Sequence, residues 1–249
     1  IDTAVLAILY VLVLKSSGDQ FPIYFFNINK AIDLLQKAGP LIFSAFLITA
    51  YTRIDQIMIE VMLGVEFVGI YAAGIRLVEV FFIFPHLLLI SIFPAIVETK
   101  STSQLQYTKG LKKLFAYLAL ISLPLVVFLW IYADQMITRL YGTAFIDAIP
   151  ILEISAVSLP FVFWSVASAR WYVIENLQLY LLSRSLLSLI LNITMNFCLI
   201  PKYGAVGASV STVLTYIFMS TIFDISTSQS RALFLIKFSS LWFSKSKAE

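Results

Sequence analysis

Apolar residues run in blocks of about twenty along most of this chain, separated by short polar stretches. A helix needs roughly 20 such residues to cross the hydrocarbon core of a bilayer, so each block reads as a membrane span. Six blocks are complete: Pro40 to about Leu63, Phe67 to Val97, 114–133, 149–170, 179–200, and the stretch from IPKYG (200–204) to about Phe223. A partial block, TAVLAILYVLVL (3–14), lacks the basic start and small-residue cleavage site of a signal peptide. It reads as the end of a cut membrane helix over 1–15, and the chain as a fragment of a longer protein. Residues 16–38 form a polar and aromatic connector, in which NKAIDLLQKA (29–38) has the spacing of a short helix at the bilayer surface. Pro40 opens the next span, where its missing N–H removes no hydrogen bond. The second complete block exceeds a bilayer width, so a kink near Pro85 or an extension beyond the lipid is expected. The fourth carries Pro160 inside it. The expected fold is all-α: a polytopic membrane helix bundle with six complete transmembrane helices in one lobe, 39–223. A basic tail follows over 224–249, with one apolar patch, LFLIKF (233–238), expected on the membrane surface.

Composition agrees. Hydrophobic residues make up 60% of the 249, charged residues 12%, and mean hydropathy is +0.93. A soluble domain carries about twice that charge fraction. The formal charge of +3 matters less than where the charges fall. With the spans taken alternately, Arg139 and Lys202 lie on one side and Arg53 and Arg76 lie within the membrane. Every other lysine and arginine falls on the opposite side. Basic residues concentrate in cytoplasmic loops, which places the C-terminus in the cytoplasm. One cysteine, Cys198, permits no internal disulfide, and with the single histidine, His86, it makes no metal site without carboxylates. No cofactor or metal is expected. Hydrolase, metalloprotease and phosphate-loop motifs are absent, and the longest outer loop, DQMITRLYGTAFIDA (134–148), is too short for a catalytic domain. The reading is not an enzyme and not a nucleic-acid binder, since membrane topology already accounts for the basic residues.

Charge inside the spans marks the candidate chemistry. RIDQIMIEVMLGVEFVGIYAAGIRLVE (53–79) places Arg53, Asp55, Glu60, Arg76 and Glu79 in a membrane hairpin. A charge at the bilayer centre costs about 2.5–3.5 kcal/mol even on insertion scales, so such groups face a partner or a wet cavity. Arg53 and Arg76 lie equally far from the turn at LGVE (63–66), about 17 Å deep at 1.5 Å per residue. Two guanidinium groups at one depth suit a pyrophosphate or other anion, since they bind phosphate through paired hydrogen bonds. The opposing reading is internal pairing, Arg76 with Glu79 three residues on or Arg53 with Glu79 across the hairpin. Thr49, Arg53, Gln56 and Glu60 share one helical stripe, and Asp55 points nearly opposite, towards another neighbour. His86 fits either a helix–helix hydrogen bond or a proton relay. Arg184, Ser188, Asn192 and Asn196 form a second stripe, suited to interhelical hydrogen bonds or to lining a lumen. Gly204 with Ala208 and Gly207 with Ser211 are small-residue pairs that let helices approach closely.

The hairpin sequence resembles the central hairpin of bacterial polysaccharide and O-antigen flippases, members of the multidrug, oligosaccharidyl-lipid and polysaccharide exporter superfamily. SIFPAIV (91–97), LYGTAFIDAIPIL (140–152) and ENLQLYLLSRSLLSLILNITMNFCLIPKYGAVGAS (175–209) extend the resemblance over most of the chain. It implies two six-helix lobes across a central cavity, with this chain as the C-terminal lobe and a missing N-terminal lobe as its partner. It also implies a polyprenyl-pyrophosphate-linked oligosaccharide as substrate, flipped across the bacterial inner membrane by alternating access. Arg53 and Arg76, with Gln56, Glu79 and Asn192, are the matching cavity candidates. Membrane lipid and the lipid-linked oligosaccharide are the implied partners. Three alternatives stay open: a cation-coupled multidrug exporter using Asp55, Glu60 and Glu79, a membrane glycosyltransferase, and a scaffold for glycan assembly.

Overall fold

The computed structural model describes residues 28–226 and 230–241, which are helical almost throughout, with no strand among them. The helix end expected over 1–15, the connector as far as residue 27, and the tail residues 227–229 and 242–249 lie outside the described residues. The chain divides into two compact units, Ile1–Gly39 and Pro40–Glu249. Residues 28–39 of the first are the opening turns of α1 (Ile28–Leu63), which ends in the second. Pro40 therefore lies inside a helix rather than at the start of one. Its carbonyl accepts from Ser44 Oγ at 2.6 Å.

Gly64 ends α1. Its φ of 106° is open to glycine alone at low cost, and its N–H closes on the Ile59 and Glu60 carbonyls at 3.2 and 3.0 Å. α2 (Val65–Glu79) starts at once, so a single residue turns the hairpin. A 3₁₀ turn over Val80–Phe82 follows, then α3 (Ile83–Thr102). The turn falls just before Pro85, whose ring disfavours a carbonyl four residues back. Ser103 is extended and its Oγ accepts from Gln106 N at 3.4 Å, capping α4 (Gln104–Leu140). The polar stretch 98–113 is thus two helix ends and a cap rather than a loop, and Lys109, Lys112 and Lys113 ride on a helix that continues past the apolar block. α5 (Ala148–Ala156) and α6 (Leu159–Ile174) meet at a bend of 48°, with Pro160 in the first turn of α6. α7 (Gln178–Tyr203) reaches Gly204, with φ 62°, and α8 (Ala205–Ile217) follows. A π-helical turn over Phe218–Ile222 leads into α9 (Phe223–Ser226).

Five helices of the described residues are long and apolar enough to cross a membrane, and the bent α5–α6 pair, taken together, meets the same measure as a broken span or a re-entrant loop. The six blocks of the hydropathy pattern are these five helices and the bent pair. The largest buried cluster runs from Leu89 and Phe93 through Leu111–Leu118 to Phe163 and Trp171, and two smaller ones gather around Ile59 and around Tyr51. Trp164 Nε1 ties α6 to α4 by donating to the Phe115 carbonyl at 3.1 Å.

One tail expectation changes. The apolar patch 233–238 belongs to α10 (Arg231–Leu241), which packs on α4. Leu233, Lys237 and Ser240 recur at helical spacing and are all buried. Burial beside Phe115 pushes the Lys237 ammonium down to about 8, with the Asp224 carboxylate opposing the shift.

The small-residue pairs do what close packing requires. A Cβ on Gly207 would stand 2.4 Å from the Leu199 carbonyl oxygen, a backbone atom that cannot rotate away. Gly207→Val is expected to cost at least the 1–3 kcal/mol (about) of an overpacked core. Thermal unfolding of the purified protein checks this; an unchanged melting temperature would show that α7 and α8 separate freely.

Candidate functional site

A cleft of about 470 Å³ opens between α1, the α2–α3 junction, α6, α7 and α8. α1 contributes Tyr51, Thr52 and Arg53, and the junction contributes Glu79, Phe82 and His86. α6 supplies Ser165 and Arg170, and α7 supplies Arg184. Aromatic edges form part of the wall: Tyr216 meets Tyr51 and Phe82 edge-on, with centroids 6.0 and 6.3 Å apart. Three guanidinium groups therefore line the cleft against one carboxylate.

The three arginines differ in setting. Arg53 is exposed and sits 3.8 Å from Glu79. An exposed pair at that distance contributes at most about 1 kcal/mol. Arg170 is exposed at the end of α6. Arg184 is 1% exposed. Its Nη2 donates to Ser165 Oγ at 3.1 Å and to the Ser165 carbonyl at 3.3 Å, and its guanidinium lies 5.4 Å above the Tyr172 ring. Nε and Nη1 have no hydrogen-bond partner among the described residues. Leaving such charged donors buried and unpaired costs more than a neutral hydrogen bond returns.

A second polar cluster lies on the other face of α1. Asp55 is 1% exposed and accepts from Tyr71 Oη at 2.8 Å, from Asn196 Nδ2 at 2.6 Å, and from Thr212 Oγ1. Asn196 Nδ2 also reaches Asn192 Oδ1 at 3.2 Å. Asn192 Nδ2 and Asn196 Oδ1 are left without partners. The cluster offers carboxylate, amide and hydroxyl oxygens, the donor set of a hard cation or a proton. The described residues contain no group of three or more histidine, cysteine, aspartate or glutamate side chains placed for a metal ion.

The residues singled out in the sequence divide accordingly. Arg53 and Glu79 line the cleft, paired across the hairpin. Arg76 is exposed on α2 and is not among the cleft residues, and Gln56 is half-buried outside it. Asn192 belongs to the Asp55 cluster. The stripe Arg184, Ser188, Asn192 and Asn196 is buried along its length, so it makes interhelical contacts and only its first member reaches the cleft. His86 lines the cleft. Arg170 was not among the candidates, and Arg184 was named only as the first member of the polar stripe. Both were counted with the loops, although Arg184 stands almost two turns inside α7.

Over residues 1–150 the chain matches the family described as polysaccharide biosynthesis protein. Two uncharacterized membrane proteins of Methanocaldococcus jannaschii are similar to it. One is 28% identical over 47% of this chain and 23% of its own length; the other is 26% identical over 78% of this chain and 45% of its own. Among solved structures, the lipid II flippase MurJ in its inward closed conformation superimposes with a TM-score of 0.64. That likeness covers 94% of this chain and 51% of the other at 16% identity, and it concerns the fold. The chain spans about half the length or less of each of these proteins. With its apolar spans and its match over the first 150 residues, the chain belongs to the polysaccharide biosynthesis protein family and is a multi-pass membrane protein.

Proposed function

We propose that the chain is one lobe of a transporter that flips a polyprenyl-pyrophosphate-linked oligosaccharide, an O-antigen, capsule or exopolysaccharide unit, across a bacterial inner membrane. The observation that carries this reading is Arg184, buried on the cleft wall with its Nε and Nη1 donors unpaired. Arg53 and Arg170 add charge at the same opening, so the cleft is cationic without help from Arg76. A pyrophosphate supplies the matching anion, and the aromatic wall suits the sugar or the first isoprene units that follow it. The lipid chain stays in the bilayer, and an N-terminal lobe completes the cavity. The reaction is translocation, with no bond made or broken, and the C-terminal tail is cytoplasmic.

The rival multidrug exporter rests on the acids. Of the three acids it would use, Glu60 is exposed and Glu79 is paired with Arg53, and only Asp55 lies in a buried polar cluster. Asp55 lies outside the cleft, so its place is to couple transport to a proton or sodium ion rather than to hold a cationic drug.

The test is a leaflet assay on the full-length protein in proteoliposomes. A fluorescent prenyl-pyrophosphate-linked sugar is expected to move between leaflets at a rate that scales with protein content. Movement of a cationic dye without movement of the glycolipid would favour the exporter instead.

A further inference from the structure

α10 reaches the cleft through a chain of buried polar contacts that no membrane-anchoring role requires. Lys237 and Asp224 are both fully buried. Lys237 Nζ donates to Asp224 Oδ2 at 2.5 Å and to the Ser220 carbonyl at 2.6 Å, and it lies 5.5 Å from the Phe115 ring centre. The Ser220 carbonyl is available because the π-helical turn over Phe218–Ile222 disturbs the ordinary backbone ladder. The other Asp224 oxygen, Oδ1, accepts from Tyr172 Oη at 2.7 Å. The Tyr172 ring lies beneath the Arg184 guanidinium.

Burying an ion pair is no efficient route to stability, since desolvation offsets most of the attraction. Such a pair is better explained by what it orients. Here every link has one geometry. Lys237 fixes both the π turn and Asp224, Asp224 fixes the Tyr172 hydroxyl, and the ring so held limits the swing of Arg184. Ser165 takes the two Nη2 hydrogens from the opposite side. Nε and Nη1 are buried and keep no hydrogen-bond partner among the described residues, on a side chain that lines the cleft.

We propose that Lys237, Asp224 and Tyr172 are positioning residues that hold the Arg184 guanidinium for a diphosphate, making α10 a working part of the cleft. This rests on the reading of the cleft as a pyrophosphate site, and it adds that preference for two phosphates over one depends on the C-terminal helix. Binding one phosphate needs only a nearby charge. Spanning two needs the fork held still.

The test uses the full-length protein in nanodiscs, titrated with farnesyl pyrophosphate and with farnesyl monophosphate. Tyr172→Phe keeps the ring and removes the hydroxyl link. Lys237→Met combined with Asp224→Asn removes both buried charges together, so neither is stranded. Each is expected to raise the Kd for the pyrophosphate about five- to tenfold while changing the monophosphate Kd less than twofold, so the preference shrinks. A loosened fold would weaken both ligands alike and lower the melting temperature, and that result would overturn the proposal. So would an unchanged pair of Kd values in either variant. Arg184→Ala separates the two levels of the argument. If it abolishes the preference while the positioning variants do not, the arm is wrong and the cleft stands; if it changes neither Kd, both fall.

Discussion

Arg184→Ala is expected to weaken binding of a prenyl pyrophosphate by about two orders of magnitude and to stop translocation. Removing one partner of a buried, hydrogen-bonded charge pair costs about 2–5 kcal/mol, and every 1.4 kcal/mol is a factor of ten. Arg184 meets the conditions for a loss within that range. It is shielded from water, anchored by Ser165, and has donors to spare. Arg184→Lys keeps the charge and loses the planar fork, so it should recover only part of the affinity. Arg53→Ala should matter less, because Arg53 is 56% exposed and already shared with Glu79. Titration calorimetry on the three variants orders them. Equal losses for Arg53 and Arg184 would mean that net charge alone sets the affinity.

Asp55 gives the second large effect, of a different kind. Asp55→Ala strands the Tyr71 hydroxyl, the Asn196 amide and the Thr212 hydroxyl in a buried site. Each unpaired polar group costs about 1–3 kcal/mol, so a loss of roughly 4 kcal/mol or more is expected, with poor recovery of folded protein. Asp55→Asn retains an acceptor and the shape of the side chain, and should fold. It removes the charge that a coupling cation needs. The flipping rate of Asp55→Asn should therefore no longer respond to an imposed proton or sodium gradient, while pyrophosphate binding persists. Thermal unfolding and a gradient-driven leaflet assay read the two consequences separately. A gradient response that survives in Asp55→Asn would remove Asp55 from coupling.

Much of the architecture was written in local pattern. Six apolar blocks gave five long helices and one bent pair because hydrophobic length is a property of consecutive residues. The short turn at Gly64 was legible for the same reason, since backbone limits act within a few residues, whereas the 48° bend before Pro160 was not expected. Asp55 and Arg53 separated as their angular spacing requires: one faces α7 and α8, the other the cleft. What could not be read was which face of each helix meets which neighbour. The depth argument paired Arg53 with Arg76, yet Arg53 turns to Glu79 and Arg76 stays outside the cleft. Asn192 shares a stripe with Arg184 but lies two turns further along α7, far enough to join the Asp55 cluster instead. The stripe did carry a signal. Arg184 begins a row of four polar residues on an apolar helix, a placement that a loop residue would not show. Lys237 was hidden more deeply, because a lysine in a basic tail reads as a membrane contact until α10 is seen packed on α4.

The central claim is that the cleft holds a pyrophosphate, and a structure of the full-length protein with a bound prenyl pyrophosphate tests it most directly. Phosphate density within hydrogen-bonding distance of Arg184, with Arg53 or Arg170 on its flank, is the predicted result. Phosphate density on the α2 face beside Arg76, with Arg184 still unpaired, would contradict it.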